Sequence, residues 1–228
     1  MPNFVFDVDC VLTEPRMPMD PEFEKFFRNW MQGKSVYITS GSTYIDIRKQ
    51  LGDIVERVNG FFACQGNTLY IGGNQIYDMI WHCDDLVKVL EDFLAKSPYP
   101  LRCSGHIDRR SGMLNFSSIG SKANREQRIA YNKWDAVEKE RQHIVNYINT
   151  YFPEVCATIG GQVSIDMAPR GCDKGQLRGK IDGPIYYFGD QVQEGGNDWL
   201  LVKMLGKDDK VFPVKNWPDT WEILKQGQ

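Results

Sequence analysis

Asn3-Phe4-Val5-Phe6-Asp7-Val8-Asp9 is an apolar run that stops abruptly on two carboxylates one residue apart. It reads as a buried strand presenting polar groups at its C-terminal end, where open α/β sheets place their chemistry. Outward from it, Phe23, Phe26, Phe27, Trp30 and Met31 recur between Glu22 and Met31 at the spacing of an amphipathic helix, closed by Gly33. A strand from Ser35 to Thr39 follows. Ser40-Gly41-Ser42-Thr43 then turns into a helix from Tyr44 to Leu51, whose N-terminus faces the same sheet edge as Asp7. This βαβα beginning predicts a parallel sheet.

From Phe61 to Tyr77 the pattern changes to short strands, with turn signals at Gln65-Gly66-Asn67 and Gly72-Gly73-Asn74, as in hairpins at a domain border. A helix from Asp84 to Ala95, strand-like pieces at Leu101 to His106 and Met113 to Phe116, one helix from Asn124 to Tyr151, and a strand pair at Val155 to Ile159 and Gln162 to Met167 make an α+β segment. Alternating order returns with a helix from Lys174, a strand from Ile185 to Gly189, a helix from Asn197 to Leu205, a strand from Lys210 to Val214 and a helix from Trp217 to Lys225. The expected division is therefore an α/β parallel-sheet domain built from residues 1–78 and 172–228, with an inserted α+β domain at 79–171.

The 228 residues are enough to bury a core, and 42% apolar with 25% charged residues is an ordinary globular composition. With 27 Lys and Arg against 30 Asp and Glu there is no global basic field, so neither nucleic acid nor a membrane surface is an expected partner. No apolar run is long enough for a membrane span, and the opening MPNFVFDVDC has no signal-peptide pattern, so the cytoplasm is the expected location. Six scattered cysteines without a CxxC pair indicate reduced thiols. His82, His106 and His143 sit in no HExxH or triad context.

Two carboxylates at the end of a buried strand are costly unless a cation, a proton or a transferred group sits between them. Gly189-Asp190 and Gly196-Asn197-Asp198 close another strand of the same domain, so both acidic clusters can converge on one hard cation. Mg²⁺ suits oxygen ligands and is completed by waters and substrate phosphate. Ser40 and Lys174, each at a helix start, are suited to neutralising phosphate oxygens.

DxDx(T/V), a strand-end Ser or Thr, a Lys and GDxxxxGxND, in this order, resemble the haloacid dehalogenase superfamily of phosphotransferases. The likeness extends through FDVDxxLTxPR, GMLNxSxIG, RIxxxxxD, IGGQxSxDxxPxGxDK and FGDxxxxGGND, which resemble eukaryotic-type phosphomannomutases and span nearly the whole chain. The resemblance implies a Rossmann-like core whose inserted α+β domain, an antiparallel sheet plus helices, is a cap over the Mg²⁺ site. It implies Asp7 as nucleophile, Asp9 as acid and base, Ser40 and Lys174 on the transferring phosphoryl group, and Asp7, Asp9 (through its carbonyl) and Asp190 as metal ligands. Asn197 and Asp198 would stand behind them, with Asp198 holding Lys174 or the metal's waters. Arg16 of the core and Arg110, Arg128, Ser164 and Asp166 of the cap would contact phosphate and sugar. Residues 101–142 hold nine Lys or Arg against five Asp or Glu, a charge excess suited to gripping an anion.

The implied activity is interconversion of mannose 1-phosphate and mannose 6-phosphate, with a hexose bisphosphate as activator and a homodimer paired through the caps. Two departures point elsewhere. Cys10-Val11 stands where the family usually reads Gly-Thr, and Ser121 stands where it has an arginine after Ile-Gly in the cap. These favour a simpler sugar-phosphate phosphatase, and a noncatalytic phosphosugar binder is the reading from a different class.

Overall fold

The computed structural model describes residues 1–227 as two compact units. Met1–Asp78, Cys172–Glu194 and the chain from Asp198 onward form the first; Met79–Gly171 with Gly195–Asn197 form the second. In chain order the first unit begins with β1 (Asn3–Phe6), α1 (Pro21–Trp30), β2 (Ser35–Thr39), α2 (Tyr44–Leu51), the single turn α3 (Ile54–Arg57), β3 (Gly60–Ala63), β4 (Thr68–Ile71) and β5 (Asn74–Asp78). The second comprises α4 (Asp84–Lys96), β6 (Ile107–Arg110), β7 (Met113–Phe116), α5 (Arg125–Glu138), α6 (Glu140–Tyr151), β8 (Val155–Gly160) and β9 (Ser164–Pro169). The first then resumes with β10 (Ile185–Gly189), α7 (Trp199–Val202), β11 (Lys210–Pro213) and α8 (Trp217–Lys225).

The seven-stranded sheet of the first unit has the order β11-β10-β1-β2-β3-β4-β5, parallel from β11 to β3 and antiparallel beyond. The chain winds from β1 toward β3 on one side and later from β10 to β11 on the other. β1 is therefore the switch point, and its C-terminal end opens onto the crevice where such sheets bind ligands. All four of its residues are buried. Phe4 and Phe6 point to α1, where Phe6 meets Phe27 and Trp30 edge-on at centroid distances of 5.3 and 5.8 Å. Val5 points to the opposite layer with Phe62, Leu177, Ile185, Tyr187 and Leu201. Strand alternation thus sends Asp7 to the same side as Val5.

Helix α1 forms because Asp20 caps it, accepting from the amides of Glu22 and Phe23, with Pro21 in its first turn. Phe23 and Phe27 then fall on one buried face, and Phe23 stacks on Trp217 and Trp221 around α8. Of the aromatics of α1, Phe23 and Phe27 are core, while Phe26 and Trp30 are half-buried at its margin.

The second unit is a four-stranded antiparallel sheet of order β6-β7-β9-β8 with helices against one face. Ile107, Leu114, Phe116, Ile165, Met167, Val155 and Ala157 pack there with Leu86, Leu90, Ile144 and Ile148. The alternate residues face away, and the register lines up Asp108, Asn115, Asp166 and Thr158 in one row across the four strands.

Four boundaries differ from the sequence-based expectation. The single helix at 124–151 is two, broken where Lys139 takes a left-handed φ of 59°. Buried bonds hold the break: the Arg141 amide and Nε donate to Asp135 Oδ1 and Oδ2 at 2.9 and 2.7 Å, and Tyr131 Oη donates to Glu140 at 2.7 Å. Residues 101–106 are not a strand, because their amides serve a loop (Cys103 N to Ile119 O, 2.6 Å), and the edge strand is β6 instead. The helix expected from Lys174 is a 3₁₀ segment, Lys174–Gly179, and that expected from Asn197 shrinks to the four residues of α7. Among the described residues no helix is long and apolar enough to cross a membrane.

Candidate active site

Asp7 leaves β1 with its amide bonded to Phe188 O of β10 at 3.0 Å, and Asp190 follows directly after β10. Two adjacent parallel strands therefore deliver these carboxylates to one edge. Asp198 is drawn in by a reciprocal pair: Gln191 N donates to its Oδ2 at 3.0 Å, and Asp198 N donates to Gln191 O at 3.2 Å. Carboxylate oxygens of Asp7, Asp190 and Asp198 lie within 4.8 Å of one another.

Lys174 opens the 3₁₀ segment, behind an Asp173 cap, and is wholly buried. Its Nζ sits 2.9 Å from Asp7 Oδ2 and 2.6 Å from Asp198 Oδ1. Burial disfavours its charge, but Asp198 and Asp7 outweigh burial and hold the ammonium above the ordinary lysine range. Tyr187 donates to the same Asp198 oxygen at 2.6 Å. Burial and then Asp198 push its phenol well up, so it stays a neutral donor. Asp198 thus accepts from Lys174, Tyr187 and the Gln191 amide.

One ammonium facing three carboxylates leaves the site short of positive charge. Burial foremost, against the pull of Lys174 and with the push of Asp198 and Asp190, raises the Asp7 carboxyl to about 8. Burial and Asp198 raise Asp190 to about 6. This all-oxygen, anion-rich donor set fits a hard divalent cation such as Mg²⁺, with Asp7 and Asp190 as the carboxylates that would hold it.

Asp9 is not part of that three-carboxylate cluster. Its Oδ1 accepts the Arg16 amide at 3.0 Å, which closes the loop 7–16. Arg16 itself has a φ of 63°. Cys10, next to Asp9, has a φ of 66°, the left-handed conformation that glycine takes without strain, and its amide donates to Thr13 O at 2.9 Å. Burial and the neighbouring Asp190, Asp9 and Asp7 push its thiol up to about 12. Ser40 directly follows β2, the strand beside β1; it is buried, and its Oγ accepts the Ser42 amide at 3.0 Å, leaving the hydroxyl hydrogen for another acceptor. Asn197 is buried and groups with the second unit; its Oδ1 has no hydrogen-bond partner among the described residues.

Of the second-unit residues named from the sequence, Arg110 and Asp166 lie on the helix-free face of the sheet. Arg110 Nε donates to Asp108 Oδ2 at 2.8 Å, and Asp166 Oδ1 accepts Asn115 Nδ2 at 2.6 Å. A Cβ on Gly160 would lie 2.7 Å from Asp166 Oδ2, so that carboxylate is boxed in. Ser164 begins β9 and its carbonyl accepts Arg141 Nη1 at 3.4 Å. Arg128 is on α5 rather than the sheet, buried, with Nη1 on the Ser121 carbonyl at 3.4 Å.

Sequence reasoning missed Tyr187, which looks like core in an apolar strand, and Asn115, whose role depends on cross-strand register. It also missed why Gly189 is glycine: a Cβ there would lie 2.6 Å from Asp198 Oδ2 and 2.7 Å from the Tyr187 ring. The signal available was the two-residue spacing that puts Tyr187, Gly189 and the neighbouring Asp7 on one side of the sheet.

A family model described as eukaryotic phosphomannomutase matches residues 23–226. The chain is 34% identical over 209 residues to a phosphomannomutase of Nicotiana benthamiana, covering 85% of this chain and 82% of that protein. A phosphomannomutase of Dendrobium officinale is 32% identical over 217 residues, covering 89% and 86%. Among solved structures, an IMP-bound Plasmodium falciparum IMP-nucleotidase mutant superposes with a TM-score of 0.66 at 16% identity, covering 99% of this chain and 67% of that one. A trehalose-6-phosphate phosphatase related protein gives 0.57 at 17% identity, covering 98% and 96%. At such identities these two structures share the fold, an α/β core with an inserted α+β domain.

Proposed function

This chain belongs to the eukaryotic phosphomannomutase family of the haloacid dehalogenase superfamily, and on that premise we propose that it interconverts mannose 1-phosphate and mannose 6-phosphate through a phosphorylated Asp7, with Mg²⁺ as cofactor. It is an enzyme of the phosphotransferase and phosphatase type, acting on sugar phosphates. The observation that carries the finer reading is the buried Asp7–Lys174–Asp198 chain beside Asp190 at the end of the central strand.

In this reading an Asp7 carboxylate oxygen attacks phosphorus, the bond from phosphorus to the sugar oxygen breaks, and an acyl phosphate remains on Asp7. Lys174 has three ammonium hydrogens, of which Asp7 and Asp198 take two. The third is left for a phosphoryl oxygen, and the free Ser40 hydroxyl hydrogen suits another. Asp9, with one oxygen fixed by the Arg16 amide, keeps the other to give a proton to the departing sugar oxygen and later to take one from the attacking hydroxyl. Bound Mg²⁺ would supply the positive charge that favours ionised Asp7 and neutralises phosphate oxygens. In the second unit, Arg110, Arg128, Ser164 and Asp166, with Arg16 of the first, are assigned to the phosphate and hydroxyls of the hexose or its bisphosphate activator. We further propose that two copies pair through the second unit, which light scattering would check.

A second reading, plain hydrolysis, is favoured by position 121. Ser121 offers no guanidinium, and its carbonyl is already engaged by Arg128. One incubation separates the two: protein, Mg²⁺, mannose 1-phosphate and catalytic glucose 1,6-bisphosphate, with mannose 6-phosphate and inorganic phosphate measured separately. Mannose 6-phosphate in excess supports the mutase. Predominant inorganic phosphate makes the protein a phosphatase.

A further inference from the structure

Residues 64–66 form a run of three left-handed backbone positions in the first unit. Cys64, Gln65 and Gly66 have consecutive positive φ values of 50°, 59° and 90°, and two of them are not glycine. Left-handed conformations cost non-glycine residues about 1–2 kcal/mol each and persist where the surroundings over-determine them. Here the surroundings are the two elements assigned to the phosphoryl group.

On one side the turn is bonded to the segment carrying Ser40. Gln65 N donates to Ser40 O at 2.9 Å and Cys64 N to Ser42 O at 3.1 Å. On the other side it meets Gln176, two residues after Lys174. Gln176 Nε2 donates to Gln65 O and to Asn67 Oδ1, each at 3.0 Å, while its Oε1 accepts Lys180 Nζ at 2.7 Å. Two acceptors on the nitrogen and an ammonium on the oxygen leave one orientation for the amide. The Gln176 backbone amide closes the Lys174 turn on Asp173 O at 3.1 Å. The fit is tight, since a Cβ on Gly66 would lie 2.6 Å from Leu177 Cδ1 and 3.2 Å from Gln176 Cγ.

We infer that Gln176 is a positioning residue: its side-chain amide braces the left-handed 64–66 turn against the Lys174 turn and so fixes Ser40 and Lys174 relative to each other. It touches neither substrate nor the reacting atoms. The inference rests on the proposed phosphoryl-transfer reading, because only there do Ser40 and Lys174 act on one group. A brace of this kind matters most for the trigonal-bipyramidal phosphoryl group, whose oxygens must meet both donors at once.

The test compares the full-length protein with Gln176→Met, which removes donor and acceptor at similar length, and Gln176→Glu, which turns the donor into an acceptor facing two acceptors. Turnover of para-nitrophenyl phosphate in Mg²⁺ and inhibition by vanadate, a stand-in for the five-coordinate phosphoryl group, are measured for each. Both variants are expected to lose about tenfold in kcat and to weaken in vanadate inhibition constant by a similar factor, with KM within about twofold. The inhibition constant does not depend on how much protein is folded, so a merely structural role leaves it unmoved. A wild-type inhibition constant in either folded variant overturns the brace while leaving the enzyme reading intact. A wild-type protein that neither turns over the ester with Mg²⁺ nor responds to vanadate overturns the reading itself, and the brace with it.

Discussion

Replacing Lys174 by Met removes the ammonium shared by two buried carboxylates while nearly keeping side-chain volume. At 2.6 and 2.9 Å and an effective dielectric of about 20, each attraction is worth about 6 kcal/mol before desolvation. Desolvating a wholly buried ammonium offsets most of that sum, and removing one partner of such a pair costs about 3–5 kcal/mol net. For a chain of this length the melting temperature should fall by roughly 10 °C. The loss should depend on pH. Asp7 is already raised to about 8 with Lys174 in place, and losing the ammonium raises it further, whereas in the unfolded chain it titrates near its ordinary value of 3.8. Wild type and variant both keep this proton up to about pH 8 and both lose stability as the pH rises toward it; above about pH 8 the folded wild type releases it while the variant does not, so the variant's deficit widens there. Thermal melts near pH 7 and near pH 9 should show the larger deficit at the higher pH, and adding Asp198→Asn should recover part of it. A variant within about 2 °C of wild type near pH 9, or a deficit equal near pH 7 and near pH 9, would refute this account of Lys174.

Mg²⁺ should stabilise the wild-type protein more near pH 8 than near pH 5.5. Asp7 and Asp190, raised to about 8 and about 6, exchange protons for the cation across that range, so affinity should strengthen by up to about tenfold per pH unit; calorimetric titration at several pH values measures it, and a flat profile contradicts it. Cys10→Gly should raise the melting temperature by about 2 °C, because the φ of 66° strains cysteine more than the added chain freedom of glycine costs; a lower melting temperature would show that the thiol contributes packing that outweighs the strain.

The sheet was legible because its central strands are short apolar runs with sharp polar ends: Ser35–Thr39 and Ile185–Gly189 fall where the sequence pattern puts them. Local chemistry also marked α1 and α8, each with a side-chain cap and an early proline. What was not legible depends on distant partners. The break at Lys139 is held by Arg141, whose guanidinium also donates to Gly161 O at 3.0 Å, a contact that periodicity over 124–151 cannot register. The segments after Lys174 and Asn197 carry helical spacing but spend their backbone bonds on capping and on Gln191. Within the site, Asp7, Lys174, Asp190 and Asp198 were visible as motif residues. Tyr187 and Gln176 were not: the first is disguised as a core aromatic, and the second bonds to residues 111 and 109 positions away.

The central position of β1 has a consequence for synthesis on the ribosome. Its residues emerge before the inserted unit, yet one of its two flanking strands is β10, which leaves the exit tunnel only after the whole inserted unit has been made. Until then the nascent chain displays an unpaired apolar edge at β1, the kind of surface that chaperones shield and that joins wrong partners when crowded. Translation must also pass residue 198 before Lys174 acquires both of its carboxylates. The catalytic edge is thus completed only after the whole inserted unit, although its first aspartate is made before that unit.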